Sequence, residues 1–291
     1  MSKKTPIRNR AAEQVQELIR PGQSIELLKE LHILTRDGTL NQDTRRKLKQ
    51  VYHLFGFIEP LLNELEAQQP EGITRADHGA GKSYLGFIIY DLFFRERDHG
   101  TIYGIETRQE LVDKSSALAQ RLDFARMHFL ALTSEASAHT ALLPETIGIV
   151  TALHACDTAT DEAIAFGLHK QARHMVLVPC CQAEVATHLR QSKALQLART
   201  PLAELWRHPL HTREVGSQLT NVMRCLYLES QGYRVTVTEL VGWEHSLKNE
   251  LILATWTGQK KRSAAERMQA LAEQFGLQDW LQQRFALFQP A

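Results

Sequence analysis

The chain has 291 residues, of which 43% are hydrophobic and 23% charged, with a formal net charge of +1 at pH 7. This is ordinary globular composition, enough for one large core and a smaller appendage, and it excludes a protein that is basic all over. Any nucleic-acid contact must therefore come from a local patch. Such a patch opens the chain: the first 50 residues hold 11 Lys/Arg and 6 Asp/Glu.

Met1-Ser-Lys-Lys lacks the apolar core of a signal peptide, and no stretch has the apolar length needed to cross a bilayer. The expected location is the cytoplasm, with no membrane partner. Cys156, Cys180, Cys181 and Cys225 form no regular disulfide pattern and are read as reduced thiols.

Residues 11–35 carry apolar positions at helical spacing, with Pro21-Gly22 as punctuation between two short helices. Asp43 is the expected N-cap of a third helix through Val51, Leu54, Phe55 and Ile58, which Pro60 is expected to kink or restart. From Gly72 the texture changes to short apolar runs alternating with helical stretches, the pattern of a parallel sheet. Strands are expected at 73–76, 101–105, 128–132, 147–153 and 175–178. A helix around 218–230 then leads to strands at 233–240 and 250–257, spaced as an antiparallel hairpin. Residues 263–287 read as one or two amphipathic helices. The expected organisation is a helical N-terminal extension at 1–70, an α/β Rossmann-like domain at 71–262 and a helical tail at 263–291.

The first strand runs into Asp77-His78-Gly79-Ala80-Gly81-Lys82-Ser83-Tyr84 and then into a helix. A glycine turn between strand and helix lets backbone approach a ligand closely. Three ligands compete for it. Ala76 to Ser83 nearly fits the triphosphate-binding loop, but Ala76 replaces its first glycine and Asp77 opposes an anion. The dinucleotide fingerprint needs a third glycine where Tyr84 stands. S-adenosylmethionine, with a cationic sulfonium and amino group, favours a carboxylate beside the glycines. Glu106 closes the second strand where it can accept from both ribose hydroxyls, for NAD and S-adenosylmethionine alike. Asp77 and the closing hairpin favour the methyl donor.

The fourth strand ends in Leu153-His154-Ala155-Cys156-Asp157, followed by Thr158 to Asp161 as the cap of the next helix, and the fifth ends in Pro179-Cys180-Cys181. Ligands of parallel sheets sit at the carboxyl ends of strands, so these tips are expected to face the crevice of the glycine loop. His154 is the first candidate for orienting or deprotonating an acceptor. A cysteine nucleophile attacking a pyrimidine, a zinc site from His154, Cys156, Cys180 and Cys181, and plain buried thiols are the other readings of this region. No metal site is assigned.

Asp77-x-Gly79-x-Gly81-Lys82-x-Tyr84-Leu85, Leu153-His154-Ala155-Cys156 with Thr160-Asp161, Pro179-Cys180-Cys181, and Lys248-Asn249 together resemble a methyltransferase-domain family. That family includes the eukaryotic acceptor-stem tRNA 2′-O-methyltransferase and the glutathione S-transferase C-terminal-domain-containing protein. The resemblance spans about residues 45–257. It implies a class I methyltransferase sheet, S-adenosylmethionine as cofactor and RNA as the best-known substrate class. Asp157 departs from the family, which usually has glycine after His-x-Cys.

The resulting assignment gives the cofactor Asp77, Gly79, Ala80, Gly81, Tyr84, Glu106 and Leu153. Catalysis falls to His154, Cys156, Asp157, Cys180 and Cys181. Substrate binding falls to Arg45, Arg46, Lys47, Lys49, Pro179, Lys248 and Asn249, with a loop carrying His208, His211 and Arg213, and Lys260-Lys261-Arg262, extending the surface. RNA is the expected substrate. A protein or small-molecule substrate, and a non-catalytic interaction protein keeping the fold, are the alternatives.

Overall fold

A computed structural model describes residues 18–38, 42–155, 158–180, 182–191, 200–240 and 250–285. The chain divides into two compact units, Met1–Thr133 and Ser134–Ala291.

Of the two short helices expected before residue 35, the first lies outside the described residues except for its end at Leu18. The second is α1 (Ile25–Glu30), whose N-cap Ser24 accepts from the Leu27 amide at 3.1 Å. Helix α2 (Gln42–Gln68) then runs for 27 residues. One expectation fails on it. The helix includes Gln42, so Asp43 falls inside its first turn and is not the cap. Pro60 neither ends nor restarts it. A proline removes one amide and crowds the carbonyl four residues earlier, which here belongs to exposed Gly56, where water can satisfy the freed oxygen.

The first unit continues through β1 (Thr74–His78), α3 (Tyr84–Ile89), β2 (Thr101–Glu106), α4 (Gln109–Arg121) and β3 (Met127–Ala131). Strands β1 and β2 pair in parallel with Asp77 opposite Gly104, and β2 and β3 with Glu106 opposite Ala131. Helix α3 widens into a π-helical turn over Tyr90–Phe94, which stacks Tyr90 on Phe124 at 4.4 Å between ring centres. Gly104 is required where it stands: a Cβ there would lie 2.5 Å from the Phe129 ring.

The second unit holds α5 (Ser134–His139), β4 (Ile149–Ala155), α6 (Thr158–His169), β5 (His174–Pro179), α7 (Glu184–Gln191), α8 (Pro209–Ser230), β6 (Tyr233–Glu239), β7 (Glu250–Trp256), α9 (Arg262–Phe275) and α10 (Gln278–Arg284). Strand β5 is buried along its whole length, as an unbroken apolar strand must be. Strands β6 and β7 form the expected antiparallel hairpin, and β7 runs antiparallel to β5. The seven strands follow the order β3-β2-β1-β4-β5-β7-β6, a Rossmann-like α/β sheet closed by a hairpin. The expected strands all exist, with ends displaced by one or two residues. The last expected segment is two helices, α9 ending at Gly276 in the left-handed conformation that lets the chain turn into α10. Trp280 and Arg284 of α10 both donate to Glu184 of α7, at 2.9 and 2.8 Å to the same oxygen. Among the described residues, no helix is long and apolar enough to cross a membrane.

Candidate functional site

In the first unit, β1 delivers Asp77 and His78 into a loop in which Gly79, Gly81 and Ser83 all take positive φ. No atom lies within 4 Å of where a Cβ would stand on Gly79 or Gly81. Glycine is therefore required there by backbone conformation and leaves an open face, rather than making room for a neighbouring side chain. Two bonds pin the loop to the end of β2: the Ala80 amide donates to the Ile105 carbonyl at 2.9 Å, and the Gly81 amide to Glu106 Oε2 at 2.8 Å.

Glu106 is buried and heavily bonded. Arg108 donates from Nε to Oε1 at 3.0 Å and from Nη2 to Oε2 at 3.1 Å, and its amide reaches Oε1 at 3.1 Å. Burial acts to raise the pKa of Glu106. The Arg108 side chain and amide, with the Gly81 amide, outweigh that effect and hold the carboxyl at about 2. It is an anion at any physiological pH.

Asp77 does different work. Its Oδ1 lies 3.4 Å from Arg75 Nη2, and its Oδ2 accepts from the Ser83 hydroxyl at 3.2 Å, all three residues being buried. Residues two apart on a strand share a face, which puts Arg75 and Asp77 side by side. Removing either partner would strand the other's charge, a loss of about 3–5 kcal/mol in such sites. Asp77 thus organises the loop from beneath. Arg75 escaped the sequence reading, although an arginine inside an apolar strand, two residues before an aspartate, was a usable signal. Gly86 escaped too. A Cβ there would fall 2.3 Å from Ser83 Oγ, so this helical glycine makes room for the cluster.

Tyr84 and Lys82 are exposed and wall a cavity of about 300 Å³ with α1 and α4 residues. A larger cavity, about 530 Å³, lies between α4 and β3 and contains none of the expected site residues. Arg45, Arg46, Lys47 and Lys49 are all exposed near the start of α2.

In the second unit, the β4–β5 register slips between Leu153 and Ala155, which leaves His154 as the extra residue of a bulge. Bulges commonly re-aim a strand next to a functional site. Leu153 is half-buried, Pro179 is the buried last residue of β5, and Cys180 is half-buried beyond it. Cys156, Asp157, Cys181, Lys248 and Asn249 lie outside the described residues, and with them two of the four ligands of the zinc reading. Cys225 is the inert thiol expected of it: burial, aided by Glu250 and Glu229, pushes it up to about 12.

Two placements differ from expectation. Asp161 does not cap α6. It is buried and its Oδ1 accepts from Arg224 Nε at 2.6 Å. His211 and Arg213 lie in α8, with His208 as its N-cap, rather than in a loop. Around Arg224 runs a network no local pattern announced: its Nη1 donates to Asn221 at 3.1 Å, Asn221 donates to Glu250 at 2.6 Å, and Gln182 stands 2.8 Å from Asn221 and 2.6 Å from Ser217. Gln182 lies two residues beyond Cys180, so the network anchors the chain leaving the β5 tip. Burial raises the carboxyls of both Asp161 and Glu250, with Arg224 opposing the shift in each.

Residues 46–188 match the family model described as a methyltransferase domain. No curated protein sequence matches the chain. Among solved structures, magnesium protoporphyrin IX methyltransferase from Synechocystis PCC 6803 with bound SAH aligns at a TM-score of 0.44 and 12% identity, covering 85% of this chain and 99% of that one. An rRNA methylase from Streptococcus thermophilus aligns at 0.39 and 10%, covering 64% and 87%. Precorrin-6y C5,15-methyltransferase from Geobacter metallireducens GS-15 aligns at 0.37 and 15%, covering 64% and 81%.

Proposed function

We propose that the chain is an S-adenosylmethionine-dependent methyltransferase, a reading supported by the match of residues 46–188 to the methyltransferase-domain model, that it methylates RNA, and that it binds its cofactor at the glycine loop of the first unit. The observation that carries the cofactor assignment is the open, positive-φ backbone of Gly79 and Gly81 pinned beside an ionised Glu106. These residues suit the cofactor: Gly79, Ala80 and Gly81 offer backbone to its amino-acid part, Glu106 accepts from the ribose hydroxyls, and Asp77 keeps the loop in shape. When bound, the cofactor supplies a methyl group on a positively charged sulfur.

The chain's own residues must then hold an acceptor in line with that methyl, and positioning supplies much of the acceleration. His154, the extra residue of the β4 bulge, would take the proton that the acceptor loses on methylation. Pro179, the last residue of β5, and Cys180 beyond it are proposed to face the acceptor. The exposed run Arg45, Arg46, Lys47 and Lys49 supports RNA as the substrate, since it can neutralise successive phosphates.

Calorimetry with S-adenosylhomocysteine, ATP and NAD tests the cofactor. Micromolar binding of S-adenosylhomocysteine alone is expected, and Gly81→Val should abolish it by filling the open face and straining the left-handed backbone. Binding of ATP or NAD in its place would overturn the assignment. Mass spectrometry of nucleosides from cells with and without the protein should show one methylated nucleoside missing. Unchanged nucleosides with intact cofactor binding would move the substrate to a protein or small molecule.

A further inference from the structure

The cavity of about 300 Å³ beside the glycine loop lies wholly within the first unit, and of its lining residues only Tyr84 was expected at the cofactor, a role this inference reassigns. Its walls carry Lys82, Lys114, Arg121 and His32. Glu30, the one acidic residue among its described lining, pairs with Arg121 at 3.0 Å. Lys82 and Lys114 thus leave a net charge of about two in a concave, partly sheltered space, where attraction for an anion exceeds that of a flat surface. Tyr84 stands in the same wall with 40% of its surface exposed. An exposed ring beside two cations is the combination used for single-stranded nucleic acid, in which cations track the phosphates and the ring stacks on a base. Its volume is at the lower end of small-ligand pockets.

We propose that this cleft is an RNA-binding site that takes backbone phosphates on Lys82 and Lys114 and stacks one nucleobase on Tyr84. The proposal rests on the RNA reading above and deepens it by naming where the strand lies. An acidic peptide would use the cations but not the ring. The ring and the exposed basic run of α2 in the same unit therefore favour RNA.

Fluorescence anisotropy of a labelled 20-nucleotide polyuridylate on the full chain tests it, with S-adenosylhomocysteine calorimetry as the check that the lysine variants keep the loop and circular dichroism as the check that the Tyr84 variants keep the fold. Lys82→Glu with Lys114→Glu should weaken RNA binding at least tenfold and flatten its dependence on log salt by about 1.4, two phosphate contacts being lost. Tyr84→Ala should cost about fivefold or more, and Tyr84→Phe should restore the affinity, because stacking needs the ring and not the hydroxyl. If these variants bind RNA as the wild type does, while Arg46→Glu with Lys49→Glu weakens it, the cleft assignment is wrong and the RNA reading stands. If the wild type binds S-adenosylhomocysteine but no RNA, both fail. Polyglutamate competing as well as RNA would reassign the cleft to an acidic protein partner.

Discussion

Arg108 closes on the carboxylate proposed to hold the cofactor's ribose. It donates to both oxygens of Glu106, yet 62% of its side chain is exposed, so it returns to water at little cost. The ribose hydroxyls would have to displace it, which makes Arg108 a competitor worth no more than a surface ion pair. Arg108→Ala should therefore tighten S-adenosylhomocysteine binding by up to about fivefold in calorimetry. Weaker binding would mean instead that Arg108 holds Glu106 in the binding geometry. His78 gives the second prediction at this scale. Burial lowers its pKa from 6.5 to about 4. Between those values the unfolded chain takes a proton that the folded chain refuses, so stability falls as pH drops from about 6.5 to about 4 and is unaffected above that window. The full loss is on the order of 3 kcal/mol. Glu106, depressed in its turn, loses its contribution only below its usual range near 4.5, so it does not enter at pH 5 or above. Urea unfolding at pH 7 and pH 5 should show a smaller difference for His78→Asn than for the wild type; equal differences would show that His78 protonates freely when folded.

The glycine loop and helix α3 behave as one element because Gly86 lies over Ser83. Alanine ordinarily improves a helix over glycine by about 1 kcal/mol. Here its Cβ would meet Ser83 Oγ at 2.3 Å, forcing the hydroxyl off Asp77, and overpacking of this kind costs about 1–3 kcal/mol. Gly86→Ala should accordingly lower the melting temperature and weaken S-adenosylhomocysteine binding. Once Ser83 is alanine, the nearest polar atoms are 3.4 and 3.5 Å away on Arg75 and Asp77, so Gly86→Ala should be harmless in that background. Additive losses in the double-mutant cycle would reject the contact. The same element shows what a sequence makes legible. Apolar runs ended by turn residues marked all seven strands, and the strand–glycine–helix order located the loop. The pairing of Arg75 with Asp77, the bulge at His154 and the π-helical turn were not marked, since register and ring packing decide them. Nor was the Asp161–Arg224 pair, whose partners stand 63 residues apart.

Charge is distributed unevenly over the whole molecule. The first 50 residues carry a net +5 and the remainder −4, which leaves the +1 of the entire chain. A near-neutral protein attracts RNA weakly at long range, so affinity must be local and collapse steeply with salt as counterions return to freed phosphates. The exposed cations at the start of α2 should therefore set part of the slope of log affinity against log salt. Each phosphate contact on a single strand contributes about 0.7 to that slope. Arg46→Glu with Lys49→Glu should reduce its magnitude by about 1.4 and lower affinity most at low salt, the wild type and variant converging as salt rises. S-adenosylhomocysteine binding should not change, because neither residue belongs to the glycine loop. The measurement is anisotropy of labelled RNA from 50 to about 300 mM salt, with about 8 Å of screening length at physiological strength making the trend visible. A parallel shift with unchanged slope would show that these side chains act through folding and not through phosphates, and the basic start of α2 would then be a solvated face.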